Sequence, residues 1–152
     1  MPRQALFATT RRSRRSRVGA FSLRFVHLEP SRFFGYVQTG LGSHVFPIAE
    51  PEKALLDSLY LPRYAGGMEE VAKAVAEALA GVRVALLTEY AAKMGVRSVC
   101  SRLGFLLERG GIDADGLRTS SSNVFVKLDP EAPRRGRFDA RWKVIDNLGG
   151  AG

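Results

Sequence analysis

The chain has 152 residues, 45% hydrophobic and 25% charged, the balance of an ordinary globular protein, and its length suits one compact domain. A single cysteine, Cys100, excludes an internal disulfide and leaves a cysteine-based zinc site without its ligands; no apolar run approaches the roughly 18 residues that a membrane span needs. The net charge is +8, yet residues 1–36 hold eight arginines against one acid, Glu29, whereas residues 37–152 hold 15 basic and 14 acidic side chains. Such asymmetry points to a polyanionic partner or an arm rather than to the fold. No apolar core of a signal peptide follows the basic start, and the expected location is the cytoplasm.

Residues 5–9 (Ala-Leu-Phe-Ala-Thr) read as a short strand. The run Arg11-Arg12-Ser-Arg-Arg-Ser-Arg17 cannot be buried without counter-charges. Gly19 admits a turn, after which Phe21, Leu23, Phe25 and Leu28 nearly alternate with Ser22, Arg24 and His27 as in a half-buried strand. Two strands flanking the arginines predict a hairpin with a cationic tip. Residues 33–38 and 44–48 predict a second strand pair, separated by the Gly40-Leu-Gly42-Ser43 turn.

At Ala49 the period changes from two to 3.6. Glu50-Pro51-Glu52 starts a helix, because proline is tolerated in the first turn and early acids favour the helix dipole. Its stripe is Leu55, Leu56, Leu59 and Tyr60, and Pro62 stops it. After Gly66-Gly67, the residues Met68, Val71, Ala72, Val75, Ala76 and Leu79 follow helical spacing without a break, with Glu69–Lys73 as a solvent-side pair and Gly81 as the end. A third helix runs from about Val84 to Met94, with Leu86, Leu87, Tyr90, Ala91 and Met94 inward, and Gly95 breaks it. A fourth covers about Arg97 to Arg109, its stripe being Val99, Leu103, Leu106 and Leu107 with Cys100 beside it.

Asp113 to Ser122 reads as a polar loop, Asn123–Leu128 as a strand, Pro130 to Gly136 as a charged turn and Phe138 to Ile145 as an aromatic-containing segment. The fold class is therefore α+β, with short strands and hairpins at both ends of the chain around a central bundle of about four helices. One domain is expected over 1–147, made of a basic strand-rich part (1–36) and a helical part (49–110), with 148–152 a flexible tail.

No catalytic, metal or cofactor site assembles from these residues. His27 and His44 lie outside metal-ligand spacing of each other and of Cys100, and zinc sites need three or four convergent ligands. Glu50, Glu52 and Asp57 do not share one helical face, and the first two fit dipole stabilisation. Cys100, on an apolar stripe, reads as a small buried hydrophobe. Ser120–Ser122 show no nucleophile elbow, and the glycines match neither a phosphate-binding nor a dinucleotide-binding loop. An enzyme is not expected.

Five arginines within seven residues (Arg11, Arg12, Arg14, Arg15 and Arg17) place several guanidinium groups within reach of successive phosphates. A loop kept charged only for solubility would carry a mixture of lysines and acids, whereas arginine alone suits bidentate phosphate contact. Such contact carries no base sequence. Leu86–Gly111 offers a second candidate. Ala91 and Gly95 are placed as in a helix-turn-helix, and the strand at 123–128 could pass for a wing. An ordinary helical hairpin packing on the sheet accounts for the same pattern, and Gly104 with Phe105-Leu-Leu107 suits that packing better.

The stretch Ile48-Ala-Glu-Pro-Glu-Lys-Ala-Leu-Leu-Asp57 resembles the hallmark of the AbiEi-type antitoxin family. Matching parts follow in the family's order: the arginine run and the Phe25-Val26 strand, Phe34-Gly35, the Gly66-Gly67 helix start, Ser98-Val99, Arg102-Leu-Gly-Phe-Leu-Leu107, and a closing Arg141-Trp142 with Asn147. The resemblance implies a transcriptional regulator and antitoxin of a type IV (AbiE) toxin–antitoxin system. Its members pair an N-terminal winged-helix DNA-binding domain with a C-terminal antitoxin domain and autorepress their operon. The implied functional partner is a nucleotidyltransferase-like toxin, opposed without a stable complex. By this likeness the chain corresponds to the C-terminal domain without the winged helix, as expected for a truncated gene or a misplaced start, and its arginine region adds to DNA contact.

Two classes of function stay open on these residues. One is a non-enzymatic antitoxin-like regulatory domain that touches DNA phosphates through Arg11–Arg17. The other is a protein-interaction domain whose basic arm meets an acidic protein surface. Neither needs a cofactor or a membrane.

Overall fold

A computed structural model describes residues 3–14 and 16–149, and the chain divides into two compact units, Met1–Phe34 and Gly35–Gly152. In the first unit, β1 (Arg3–Thr9), β2 (Ser16–Val18) and β3 (Phe21–His27) form one sheet in the order β1-β3-β2. β2 and β3 are antiparallel about Gly19-Ala20, with Val18 opposite Phe21. Gly19 takes φ +57, a left-handed conformation that glycine adopts without strain.

β1 runs parallel to β3, with Phe7 beside Phe25 and Thr9 beside His27. The expected hairpin between the two strands flanking the arginines is thereby corrected, because parallel neighbours cannot be closed by a tight turn. Arg11, Arg12 and Arg14 belong instead to the link that takes the chain from β1, on one side of β3, to β2 on the other, and Arg17 is already part of β2. Beyond β3, the Leu28 N–H donates to Thr9 O at 2.8 Å, and a 3-10 turn covers Pro30–Arg32.

The second unit begins with an antiparallel hairpin of β4 (Tyr36–Leu41) and β5 (His44–Ala49), turned by Gly42-Ser43 with Gly42 at φ +62. Four α-helices follow: α1 (Pro51–Tyr60), α2 (Met68–Ala78), α3 (Val84–Met94) and α4 (Arg97–Arg109). They match the predicted helices closely, since their apolar stripes are what the core buries. Leu56 and Leu59, Met68, Val71 and Val75, Leu87, Ala91 and Met94, and Val99, Cys100, Leu103, Leu106 and Leu107 are all buried. The Lys73 ammonium pairs with Glu70 at 2.8 Å rather than with the predicted Glu69, a solvent-side difference of little energetic weight.

A 3-10 helix (Asp115–Ser120) occupies the predicted polar loop, and β6 (Val126–Lys127), β7 (Arg137–Asp139) and β8 (Val144–Asp146) make a small sheet in the order β6-β8-β7. The strand expected over Asn123–Leu128 shrinks to two residues, because β8, its ladder partner, pairs with it only at Val126 and Lys127. Trp142, fully buried, precedes β8 and packs on α4 at Gly104. The architecture is mixed α+β, with strands toward both ends of the chain and the helices between them.

Candidate functional site

Thr9, the last residue of β1, sets the start of the arginine run. Its Oγ1 accepts the Arg11 backbone N–H at 3.0 Å, a local turn of the kind threonine favours. Arg11, Arg12, Arg14 and Arg17 are exposed, and among the described residues none of them has a carboxylate partner. Arg15 lies outside the described residues. Glu29 is the one acid in the sequence of this unit. On the sheet, strand alternation places Arg17, opposite Ser22, on the same face as Arg24, while Phe7, Thr9, Phe25 and His27 share the other.

The second candidate, α3 with α4, does not present a reading helix. Residues Val99 to Gly104, Leu106 and Leu107 of α4 are all buried, so this helix is the centre of its unit. Arg102 is spent within the protein: its Nε donates to Lys127 O at 3.0 Å and its guanidinium to Leu59 O at 3.2 Å. Arg109 pairs with Asp146 at 3.2 Å, and Arg97 stays exposed. The geometry is that of a packed helical hairpin, not of a helix free to enter a groove.

The start of α1 holds a charged network that local reading assigned to the helix dipole. Glu52 is 2% exposed, and its carboxylate accepts from the Arg83 backbone N–H at 2.8 Å and from the Arg83 Nε at 3.1 Å. Glu50 accepts from the same guanidinium at 2.8 Å and from the Tyr90 hydroxyl at 2.5 Å. The two acids therefore converge on residues more than thirty positions away, and Glu50, at the N-cap, makes no capping hydrogen bond with its side chain. Lys53, with no exposed surface, pairs with Asp57 one turn on. Gly35 admits this approach: a Cβ there would lie 2.9 Å from Lys53 Cβ and 3.0 Å from the Tyr90 ring. Sequence reasoning missed Arg83, Tyr90 and the burial of Lys53. The only local signal was the Lys53–Asp57 spacing of four.

Electrostatics follow these contacts. The Arg83 side chain, then its backbone N–H, holds the Glu52 carboxyl down to about 2, and the Tyr90 hydroxyl and Arg83 lower that of Glu50. Burial pushes Asp57 up, against the pull of Lys53. Glu52 thus contributes stability that is present above its ordinary value of 4.5 and lost as pH falls toward 2, while Asp57 acts in the opposite sense. Glu52→Gln is expected to flatten the loss of Tm between pH 5 and pH 2.5. Parallel acid curves for the variant and the wild type would show that Glu52 does not drive it.

Elsewhere the residues are accounted for by packing or solvent. His27 and His44 are exposed, and among the described residues no three or more His, Cys, Asp or Glu side chains are grouped to hold a metal. Cys100 donates to Ala91 O at 3.4 Å, and burial pushes its thiol up to about 11, which leaves little thiolate at neutral pH. The Ser122 backbone N–H donates to Ser101 Oγ at 2.9 Å. A cavity of about 420 Å³ is lined by Ala72, Lys73, Leu106, Arg109, Asp146 and Leu148, where the charges of Lys73, Arg109 and Asp146 already have ionic partners. Among the described residues, no helix is long and apolar enough to cross a membrane. No protein-family model, curated protein or solved structure matches the chain.

Proposed function

We propose that the chain is a non-enzymatic, antitoxin-like regulatory domain that contacts nucleic-acid phosphates through Arg11, Arg12, Arg14, Arg15 and Arg17. The observation that carries this reading is the exposure of Arg11, Arg12, Arg14 and Arg17 without a carboxylate partner among the described residues, in a unit whose sequence holds one acid. Guanidinium groups this close repel one another, and a row of phosphates relieves that repulsion while releasing counterions. The likeness of the Ile48–Asp57 stretch to AbiEi-type antitoxins supplies the regulatory part of the proposal. On that reading the chain acts in the cytoplasm, and its functional counterpart is a nucleotidyltransferase-like toxin opposed without a stable complex.

The test is binding of the full chain to a short duplex of arbitrary sequence across a salt series. With about five phosphates neutralised, log K should fall against log salt with a slope of about −4 to −5. A flat response, with binding to polyglutamate instead, would replace this reading with the alternative of a basic arm for acidic protein surfaces.

A further inference from the structure

We propose that Phe7 and Phe25 form a stacking platform for an unpaired base, so that the arginine run receives single-stranded nucleic acid in preference to the outside of a duplex. The inference rests on the nucleic-acid reading above and deepens it. β1 and β3 are in register, so the two rings stand side by side on one face of the sheet, their centroids 5.7 Å apart and their planes tilted by 32°. Phe7 is 46% exposed, a large share for an aromatic ring within a sheet. Thr9 follows on the same face, and its Oγ1 anchors the backbone of Arg11. Only two residues of strand, roughly 7 Å, therefore separate the exposed ring from the end of β1, where the run begins.

This juxtaposition matters because the two contacts make different demands. Phosphate contact alone works on any nucleic acid and needs no aromatic group. A base inside a duplex is stacked on its neighbours and offers no face to a protein ring, whereas an unpaired base can lie on one. An aromatic pair beside exposed arginines is the combination that holds single strands, the arginines following the backbone and the ring taking a base. Arg11, Arg12 and Arg14 continue from the Phe7 strand, while Arg17 lies on the opposite face of the sheet and belongs to the general phosphate contact only.

The experiment measures fluorescence anisotropy of the full chain with labelled oligothymidylate, oligouridylate and a mixed-sequence duplex of equal phosphate number. At least one single strand should bind more tightly than the duplex, and the tighter of the two names the source as DNA or RNA. Phe7→Leu keeps the apolar bulk but removes the π face, and should weaken single-strand binding about fivefold or more with the duplex unchanged. Phe7→Trp should retain the wild-type affinity, which separates loss of stacking from loss of fold. Duplex binding at least as tight as single-strand binding, or a Phe7→Leu effect that is absent or equal on all three ligands, overturns the inference and leaves the proposed function standing. Failure of the wild type to bind any of the three overturns both.

Discussion

Replacing Arg11, Arg12, Arg14, Arg15 and Arg17 together by alanine is expected to abolish salt-dependent duplex binding and to leave the melting of the helical unit unchanged. For the wild type, five neutralised phosphates give a slope near −4.5, so affinity should fall about 500-fold between 50 and 200 mM salt. The five-alanine chain should show weak binding and a shallow slope, because its net charge falls from +8 to +3: 18 of the 23 basic groups remain against 15 acidic ones, spread over the whole chain. Stability should not suffer, since the four described arginines are exposed and hold no carboxylate among the described residues. Relief of like-charge crowding could only help. A second basic group serves as the control. Arg134 and Arg135, in the turn that leads into β7, and Arg137, the first residue of that strand, are also exposed, but Glu131 and Asp139 lie close by in the sequence. Alanine at these three positions should leave the slope near its wild-type value. If binding follows Arg134, Arg135 and Arg137 instead, the phosphate site has been assigned to the wrong segment.

How far such a site can be read from sequence depends on the range of the forces that define it. The helices were legible because their cause is local and periodic: the stripe from Met68 to Leu79 and the glycine after Met94, which sits in the left-handed region at φ +70, fix boundaries within a turn. The exposure of Arg11, Arg12, Arg14 and Arg17 was legible for a cruder reason, the cost of burying bare charge. Strand pairing was not. Nothing within residues 5–28 says that β3 takes β1 as a parallel neighbour and β2 as an antiparallel one, because that choice is made by pairing at a distance. The same limit hid the partners of Glu50 and Glu52. Read locally, two acids in a first turn look like dipole stabilisers; folded, they meet Arg83 across 31 and 33 positions, and the intervening α2 gives no sign of it. Arg102 is the converse case, a cation within an apolar helix whose guanidinium is buried against two carbonyl oxygens distant in the sequence.

Gly104→Ala is expected to destabilise the helical unit strongly. Glycine inside a helix costs about 1 kcal/mol against alanine, so its presence in the middle of α4 calls for a packing reason. Trp142 supplies it. A Cβ on residue 104 would fall inside the van der Waals envelope of three ring carbons of this fully buried indole. The ring has little freedom to retreat. The Trp142 backbone N–H is tied to Asp139 Oδ1 at 2.7 Å, and the guanidinium groups of Arg118 and Arg141 stand 5.9 and 6.0 Å from the ring centroid. Overpacking of this kind costs typically about 1–3 kcal/mol and can exceed that where nothing yields. Against the helix-propensity gain, a net loss of about 2 kcal/mol or more lowers Tm by roughly 5–10 °C in a unit of this size. Trp142→Ala alone should cost about 3–5 kcal/mol through the cavity it leaves. The informative measurement is the double variant. With the indole gone, the Cβ at 104 fills part of the empty space, so Gly104→Ala should turn from destabilising to neutral or favourable in the Trp142→Ala background. That change of sign is a coupling of about 2 kcal/mol between two residues 38 positions apart in the sequence. If Gly104→Ala is harmless in the wild-type background, or if the two losses simply add, the indole does not rest against α4 at this position.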